Sequence, residues 1–384
     1  MRVRVSVLWL ILSLIGCESK DSKVGKRTSV LVMRHCVRST AEDGIFAVKG
    51  LHYYNNYSAR PWPPFHVPVM YCLPRGVQIV EGTGRWFKEH GDLPEPVHVT
   101  SDYSQRDLDT SRAFLTGLGW ADASNFAVDG SMFATNYSEA CPEFQPWEKA
   151  LAKGKQLAAF PMPKNFVDLH TALFSTMGQG AAGDWTGVPC HASNHSGYLI
   201  GGCAAASEFA ERLLMESGGA MRVGWGKLSE EDVQELLQLH AWFRQVDEGT
   251  PELIFRSQAG ISRAVLAVLD AEAEGTEIFV GHDTQLNALN AALGLSWEPT
   301  PFPINATLPG SALRFDRQGD TVEISYVYPS SVSDSTGAMS SVPAGPGKLS
   351  IAEMRALVEK GSDGACSPPF RSSLLRPKNG GIVV

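Results

Sequence analysis

Residues Thr28 to Thr40 read TSVLVMRHCVRST and join a short apolar run to a basic turn. The run, Thr28 to Met33, is rich in β-branched and apolar residues and is flanked by charge, which is typical of a strand buried in a sheet. It ends at Arg34 and His35, and Arg38 follows three residues later. The stretch therefore predicts a buried strand whose carboxyl end carries basic side chains.

A second apolar run ends in a similar way towards the other end of the chain. Thr276 to Val280 (TEIFV) is followed by Gly281, His282, Asp283 and Thr284, and then by a helical run from Leu286 to Leu293. In α/β sheets, ligand sites form in the crevice at the carboxyl ends of the strands. We expect both turns at that edge, so their side chains can face each other although they lie far apart in the chain.

The remaining periodicity predicts an α/β sheet with a mostly helical insertion between its halves. Further strands are expected at 96–100, 312–315 and 322–328, and helices at 74–89, 106–115, 204–216, 229–246 and 257–274. Two segments, 178–202 and 330–346, are rich in Gly, Ser or Pro and are predicted loops. The predicted α/β catalytic domain comprises 28–120 and 256–384, and the α insert domain comprises 121–255.

These residue types suit phosphate chemistry. Guanidinium groups grip phosphoryl oxygens bidentately, and Arg34 and Arg38 lie on either side of His35. An unprotonated imidazole can attack phosphorus and form a covalent intermediate, and positive neighbours favour the unprotonated form. The leaving alkoxide needs a proton, for which Asp283 is the candidate acid. The sequence predicts a phosphate-transfer site with His35 as nucleophile.

The motifs resemble those of the histidine acid phosphatases, and in particular the bacterial branch of periplasmic phytases and glucose-1-phosphatases. That family carries Arg-His-Gly-x-Arg-x-Pro early and His-Asp late, where this chain has RHCVRST from Arg34 and HD at His282. CLPRGVQIV from Cys72, SDYSQRDLDTSRAFLTGL from Ser101, GWGKL from Gly224, LLQLHAWF from Leu236, GHDTQLNALNAALGLSW from Gly281 and LPGSALRFDR from Leu308 also match in order and spacing. The resemblance covers essentially the whole chain after residue 27.

The resemblance implies a role for each matching residue. His35 would be the nucleophile and Asp283 the proton donor. Phosphate would be bound by Arg34, Arg38, Arg106 and His282, and Thr284 would line the pocket. It also implies a phosphoglycerate-mutase-like fold, a mixed sheet flanked by helices with an inserted mostly α domain, no cofactor and no metal. The partner would be a small-molecule phosphate monoester, such as a sugar phosphate or an inositol phosphate.

Two positions depart from the family pattern. Cys36 stands where the family has Gly directly after the nucleophile, and Thr40 stands where it has Pro. Gly permits close backbone approach, so Cys36 would either reshape the pocket or lower the activity, and we expect an active enzyme with an altered choice of substrate.

The N-terminus predicts export. Arg2 and Arg4 precede an apolar stretch, Ser6 to Gly16, that is too short to span a membrane stably. It ends in Leu-Ile-Gly-Cys at Cys17, which resembles a bacterial lipobox. Residues 1–17 are therefore predicted to be a lipoprotein-type signal and 18–27 a tether, which gives a periplasmic or outer-membrane protein held to the membrane only by a lipid on Cys17. A simple secretory signal is the alternative, and glycans on the sequons at Asn56, Asn136, Asn194 and Asn305 would contradict the lipobox.

Export makes disulfides the expected use of the other six cysteines, and the absence of a CxxC pair argues against structural zinc. The sequence alone leaves fifteen pairings open. The resemblance implies Cys190–Cys203 and Cys141–Cys366. It also brings Cys72, at the start of the helix from Pro74, close to the nucleophile, so we expect Cys36–Cys72 as the third pair.

Other residues are expected to be structural. His191 and His195 have a helical spacing, but the Pro, Gly and Ser around them make a metal site there improbable. His170 and His240 are expected to be ordinary structural residues, and Trp225 and Trp242 to form core or pocket wall. A net charge of −8 and a pI near 5.7 offer no basic surface for nucleic acid. Nothing in the sequence predicts the oligomeric state.

Two other functions fit part of the pattern. A phosphoglycerate-mutase-like phosphotransferase shares the Arg-His chemistry but is cytosolic, which the export signal and the helical insertion contradict. A catalytically impaired surface lipoprotein that only binds a phosphate ligand would explain Cys36 and Thr40. A mere binder needs no proton donor, so the presence of Asp283 favours an enzyme.

Overall fold

The computed structural model describes residues 26–40, 54–133, 145–253, 259–271, 273–334 and 336–360. The predicted signal segment with Cys17, most of the tether, and Cys141 and Cys366 lie outside these residues. Arg27, predicted to be the last residue of the tether, is instead the first residue of strand β1, where it pairs with Gln318.

The centre of the molecule is a mixed sheet of seven strands in the order β3-β2-β6-β1-β7-β8-β9. The strands are β1 (Arg27–Arg34), β2 (Val97–Ser101), β3 (Ala127–Val128), β6 (Gly275–Gly281), β7 (Ala312–Gln318), β8 (Thr321–Pro329) and β9 (Met339–Ser350). β1, β2, β3 and β6 run parallel, whereas β7, β8 and β9 are antiparallel additions at one side. β1 and β6 are buried along nearly their whole length, as expected for parallel strands covered on both faces.

Helices cover both faces of this sheet. They are α1 (Pro74–His90), α2 (Gln105–Leu118), α3 (Pro146–Ala159), α4 (Phe166–Met177), α5 (Gly202–Gly218), α6 (Glu230–Asp247), α7 (Pro251–Leu253), α8 (Ala259–Asp270), α9 (Asp283–Leu293) and α10 (Ile351–Glu359). Short 3-10 turns lie at Tyr54–Tyr57, Gly130–Met132 and Val223–Gly226. The predicted fold class, a mixed α/β sheet flanked by helices, is confirmed.

The segment between β3 and β6 is largely helical. α4, α5 and α6 pack on one another, α3 packs on α6, and a two-stranded sheet of β4 (His191–Ala192) and β5 (Leu199–Ile200) lies beside them. α8, by contrast, packs on β1, α9 and α10. The division of the chain into a catalytic and an insert domain, with the boundaries given above, stays a prediction.

The structure corrects one predicted loop. Met339–Ser350, within and just beyond the expected loop 330–346, forms strand β9. Its two prolines and two glycines are typical of a loop, which is why the sequence did not predict a strand. β9 is, however, the last strand of the sheet, and an edge strand tolerates residues that cannot donate a hydrogen bond to the ladder. α3, α4 and α10 were not predicted, although α3 and α10 begin with capping boxes, Gln145 with Glu148 and Ser350 with Glu353.

Two of the expected disulfides are present among the described residues, Cys36–Cys72 and Cys190–Cys203. No helix within the described ranges is long and apolar enough to cross a bilayer.

Candidate functional site

The two motif turns meet at one edge of the sheet, as predicted. β1 and β6 are parallel neighbours, and their last residues, Arg34 and Gly281, are partners in register. The amide of His35 donates a hydrogen bond to the carbonyl of Gly281 at 2.8 Å, so the two turns are joined directly. The rings of His35 and His282 then lie edge to face with their centroids 5.4 Å apart.

His35 is held in the form that a nucleophile requires. Its ring is buried, and Nδ1 lies 2.9 Å from the carbonyl oxygen of Cys36, a geometry that places the ring proton on Nδ1. Nε2 then carries the lone pair, and none of the described residues forms a hydrogen bond with it. Burial, followed by the charges of Arg106 and Arg38, holds the pKa of His35 well below its ordinary value. The imidazole therefore stays unprotonated into acid solution.

Arg34 and Arg38 are tied together by a carboxylate that sequence reasoning missed. Glu211, on α5, accepts hydrogen bonds from Arg34 Nη2 at 2.5 Å and from Arg38 Nη2 at 3.2 Å. All three side chains are buried, and Arg34 also donates to the carbonyl of Thr307. Burial opposes ionisation of Glu211, but Arg38, His240 and Arg34 outweigh it and lower its pKa to about 2. Glu211 is thus a fixed negative charge that orients both guanidinium groups.

Arg106 reaches the site from the first turn of α2. Its Nη2 lies 3.2 Å from His282 Nδ1, while His282 Nε2 lies 2.9 Å from a carboxylate oxygen of Asp102. This pattern assigns the proton of His282 to Nε2, which donates to Asp102. Arg106 has no ion pair within 4.0 Å among the described residues, so its charge is available to a ligand. Asp107, behind His282, is buried, and burial raises its pKa to about 6.

Asp283, the predicted acid, faces two arginines. Its Oδ2 lies 2.9 Å from Arg244 Nη2 and 3.3 Å from Arg34 Nη2, and its Oδ1 accepts from the amide of Thr284. Burial favours the neutral carboxyl, but Arg244 and Arg34 outweigh it and hold the pKa of Asp283 well below its usual range. In this unliganded arrangement Asp283 is a carboxylate, so it must gain a proton before it can donate one.

Arg244, on α6, is the second residue that sequence reasoning missed. It pairs with Glu248 one turn further along the helix, and Glu248 accepts hydrogen bonds from the hydroxyl of Thr284 at 2.9 Å and from Asn287 at 3.2 Å. The Thr284 hydroxyl is therefore already engaged, and its lining of the pocket stays a prediction. Burial raises the pKa of Glu248 to about 7.

His240 corrects a prediction. We expected a merely structural residue, but its Nε2 lies 3.9 Å from Asp283 Oδ2 at the centre of the site, while Nδ1 lies 3.0 Å from the hydroxyl of Ser207. The helical periodicity of α6 buries His240 and cannot show what it faces. His170, in contrast, contacts the carbonyl of Gly202 and the ring of Trp185, a structural environment.

The two departures from the family pattern both form specific contacts. Cys36 is fully buried, is bonded to Cys72, and its amide donates to the hydroxyl of Thr110 at 2.9 Å. Thr40 accepts a hydrogen bond from Arg212 Nη1 at 3.0 Å. Arg212 in turn lies between the rings of Trp62 and Phe65. Both residues thus anchor the turn from Arg34 to Thr40 to its neighbours; this turn carries the predicted nucleophile His35 and is called the nucleophile turn below.

Two groups of side chains have the composition of a metal site, namely Asp102 with Asp107 and His282, and Glu211 with His240 and Asp283. In each group a guanidinium already occupies the position of the cation: Arg106 contacts His282, and Arg34 and Arg244 contact Asp283. The donor sets therefore suit arginine pairing, and a bound divalent cation would be repelled by the same arginines.

Comparison with known proteins finds similarity to bacterial phytases. Phytase AppA of Escherichia coli strain K12 is 23% identical over an alignment of 399 positions, gaps included, that covers 88% of each chain. The phytase structure from Citrobacter braakii superposes with a TM-score of 0.72 at 21% identity, covering 89% of this chain and 99% of that one. The Hafnia alvei phytase in complex with myo-inositol hexakis sulphate gives a TM-score of 0.75 at 21% identity, covering 90% and 99%. No family model matches the sequence.

The motif resemblance, the sequence similarity and the shared fold agree over most of the chain. The chain is similar in sequence to a bacterial phytase and shares the fold of bacterial phytases of the histidine acid phosphatase type.

Proposed function

We propose that the protein is a phosphatase that hydrolyses phosphate monoesters through a phosphohistidine formed on His35. The observation that supports this most directly is the state of His35: its Nδ1 is tied to the Cys36 carbonyl, Nε2 is open, and Arg34, Arg38 and Arg106 surround the ring. The homology to phytases supports the same chemistry.

In the first step, His35 Nε2 attacks phosphorus and the bond to the ester oxygen breaks. Arg38 and Arg106 neutralise the charge on the non-bridging oxygens, and the carboxyl of Asp283 gives its proton to the leaving alkoxide. In the second step, water attacks phosphorus, the N–P bond breaks, and the Asp283 carboxylate takes the proton that the water loses. Inorganic phosphate leaves and both side chains regain their initial states.

The arrangement around Asp283 suggests how the acid becomes protonated. In the free protein, Arg34 and Arg244 neutralise the Asp283 carboxylate. A phosphate dianion bound beside Arg34 brings negative charge next to Asp283 and competes for the same guanidinium. Both effects raise the pKa of Asp283, so substrate binding itself draws in the proton that catalysis needs.

The preferred substrates are proposed to be sugar phosphates or inositol phosphates. The similarity to the Hafnia alvei phytase, which binds myo-inositol hexakis sulphate, supports the inositol phosphates. Export to an oxidising compartment is supported by the Cys36–Cys72 and Cys190–Cys203 disulfides. Lipid anchoring through Cys17 remains part of the proposal.

The direct test is phosphate release from p-nitrophenyl phosphate, glucose 1-phosphate and inositol hexakisphosphate between acidic and neutral pH. We expect hydrolysis with an acid optimum, abolished in His35→Ala and retained in the control His191→Ala, whose ring is exposed and away from the site. The ranking of the three substrates assigns the natural class. A folded wild-type protein that binds these esters but releases no phosphate would instead be the phosphate-binding surface protein considered above.

A further inference from the structure

A second, positively charged pocket lies away from His35. It has a volume of about 880 Å³, and its wall includes Arg60, Arg75, Arg222 and His66, with no carboxylate among the lining residues that the structure describes. The rest of the wall is largely apolar and includes Trp225 and Phe65. A concave site with a few convergent polar groups on an apolar wall is the usual form of a small-molecule site.

The cationic groups of this pocket are poorly compensated. Arg60 and Arg222 are exposed and have no ion pair within 4.0 Å among the residues that the structure describes. Arg75 is half-buried and donates to the carbonyl of Ser333, but its buried Nε has no hydrogen-bond acceptor in the same set of residues. Asp334, a carboxylate that interacts electrostatically with Arg75, does not line the pocket.

Nearby backbone groups do not cancel this charge. α5 ends at the pocket, and the carbonyl oxygens of Met215, Glu216 and Ser217 in its last turn accept hydrogen bonds from the amides of the residues that follow the helix. α1 begins at Pro74 on the wall, and its N-cap Leu73 provides no side-chain cap, so the positive end of that helix dipole adds to the arginines.

The pocket is separate from the catalytic arginines. Glu211, which holds Arg34 and Arg38, lies on α5. Gly219, which lines the pocket, is the C-cap of that helix eight residues later, or about 12 Å along its axis. The two sites share a wall, because the amide of Leu73 donates to the carbonyl of Val37, one residue before Arg38.

Three lining residues adopt an uncommon backbone conformation. His66, Ala220 and Trp225 have φ of +56°, +55° and +61°. Non-glycine residues in this left-handed region are uncommon, and strained backbone tends to occur where a side chain or a loop is held for function. Here the strained loops hold the indole of Trp225 and the ring of His66 on the pocket wall.

We propose that this pocket binds an organic phosphate: the phosphate contacts Arg60, Arg75 and Arg222, and the apolar part of the ligand packs on Trp225. The ligand is bound and not hydrolysed, because the described lining residues include no carboxyl group that could protonate a leaving alkoxide. The inference does not depend on the proposed phosphatase activity.

Calorimetric titration with phenylphosphonate, a phosphate ester analogue that cannot be hydrolysed, tests the proposal. We expect wild type to bind two molecules per chain, one at each site. Arg60→Ala/Arg222→Ala should lose one binding event and retain hydrolysis of p-nitrophenyl phosphate. Arg38→Ala should lose the other event. The charge-matched control Arg85→Ala/Arg112→Ala, on the exposed faces of α1 and α2, should keep both.

Identical titrations of wild type and Arg60→Ala/Arg222→Ala would overturn the proposal. Titration of wild type with inorganic phosphate, which has no apolar group, separates the ionic from the apolar contribution to binding in the pocket. Weaker binding of inorganic phosphate than of phenylphosphonate at the pocket is expected, and equal affinity would refute the contact with Trp225. If the protein is not a phosphatase and Arg38→Ala changes nothing, the event lost in Arg60→Ala/Arg222→Ala still decides the question of the pocket.

Discussion

At the scale of single residues, the site is a network of arginines and carboxylates in which each charge sets the behaviour of another. Glu211 fixes Arg34 and Arg38, Asp102 fixes His282, and Arg244 holds Asp283 as a carboxylate. Only Arg106 faces the site without a carboxylate within ion-pair distance among the described residues. Buried charges are stable only when they are paired in this way, so removing one partner alters the others.

Replacing Arg244 should change the pH dependence of catalysis. In Arg244→Met the guanidinium that lowers the pKa of Asp283 is gone, and this pKa should rise. Asp283 then stays protonated to higher pH. For glucose 1-phosphate, whose leaving group needs a proton, the alkaline limb of the profile of kcat against pH therefore moves to higher pH. The limb should move little for p-nitrophenyl phosphate, whose leaving group is a weak base. The measurement is kcat against pH for both esters.

Arg244→Lys is the matched control because it keeps the positive charge, and its profile should stay close to that of wild type. An unchanged alkaline limb for glucose 1-phosphate in Arg244→Met would show that Arg244 does not govern the acid.

At the scale of elements, α1 and α2 cross closely and together support the nucleophile turn. A Cβ on Gly84 would overlap the carbonyl oxygen of Phe114, and one on Gly117 would overlap that of Glu81. A Cβ on Gly76 would overlap the carbonyl of Val37, next to Arg38. Glycine is required at these positions by space, since none of the three has a positive φ.

The close crossing of α1 and α2 predicts that replacing Gly84 and replacing Gly154 by Ala change the free energy of unfolding in opposite directions. Gly84→Ala should destabilise the protein by about 1–3 kcal/mol, because α1 must move away from α2 to admit the methyl group. Gly154→Ala, in α3, has nothing within 4 Å of the added Cβ and should stabilise by about 0.5–1 kcal/mol. Urea unfolding of both variants measures the difference. Equal effects would mean that the helices do not pack as closely as described.

The Cys36–Cys72 disulfide links the nucleophile turn to the residues before α1, across 36 positions. Replacing both cysteines by Ala should lower the free energy of unfolding by about 2–4 kcal/mol and raise KM, because the turn carrying Arg38 loses its anchor. The matched variant Cys190→Ala/Cys203→Ala should also lose stability but keep KM, since that bond lies away from the site. Unfolding curves and KM for p-nitrophenyl phosphate test this. An unchanged KM in the first variant would show that the Cys36–Cys72 disulfide contributes to stability and not to substrate binding.

At the scale of the whole molecule, the site is formed from parts of the chain that are remote in sequence. Sequence patterns located β1 and β6 and the turns that follow them, because the unbroken apolar composition of both strands predicts that they are buried in a parallel sheet. They could not show which face of α5 or α6 meets these turns, so Glu211, Arg244 and His240 were missed. One signal was present: α5 is almost entirely buried yet contains Glu211, Arg212 and Glu216, and charges in a buried helix indicate a site.

The buried carboxyl of Asp107 should make the free energy of unfolding of the whole protein depend on pH. Asp107 has a pKa of about 6 in the folded protein, above its ordinary value of 3.8, so the folded state binds a proton more tightly than the unfolded state. Between about pH 4 and 6 its contribution to stability should therefore fall as pH rises, by up to about 3 kcal/mol. Asp107→Asn cannot ionise and should show a flatter profile over this range in urea unfolding. Parallel curves for the two proteins would contradict the raised pKa.

Because β1 and β6 are adjacent in the sheet but remote in the chain, the site can form only late in synthesis. The ribosome completes His35 first and Asp283 only about 250 residues later, which at roughly 5–20 residues per second is a delay of about ten to fifty seconds. During that interval β1 has no β6 beside it, the amide of His35 lacks its acceptor at Gly281, and Asp283, the proposed proton donor to the leaving group, has not been made. A nascent chain is therefore inert towards the phosphate esters around it. If the chain crosses a membrane unfolded, the cell that makes the protein is spared its chemistry until the molecule has left.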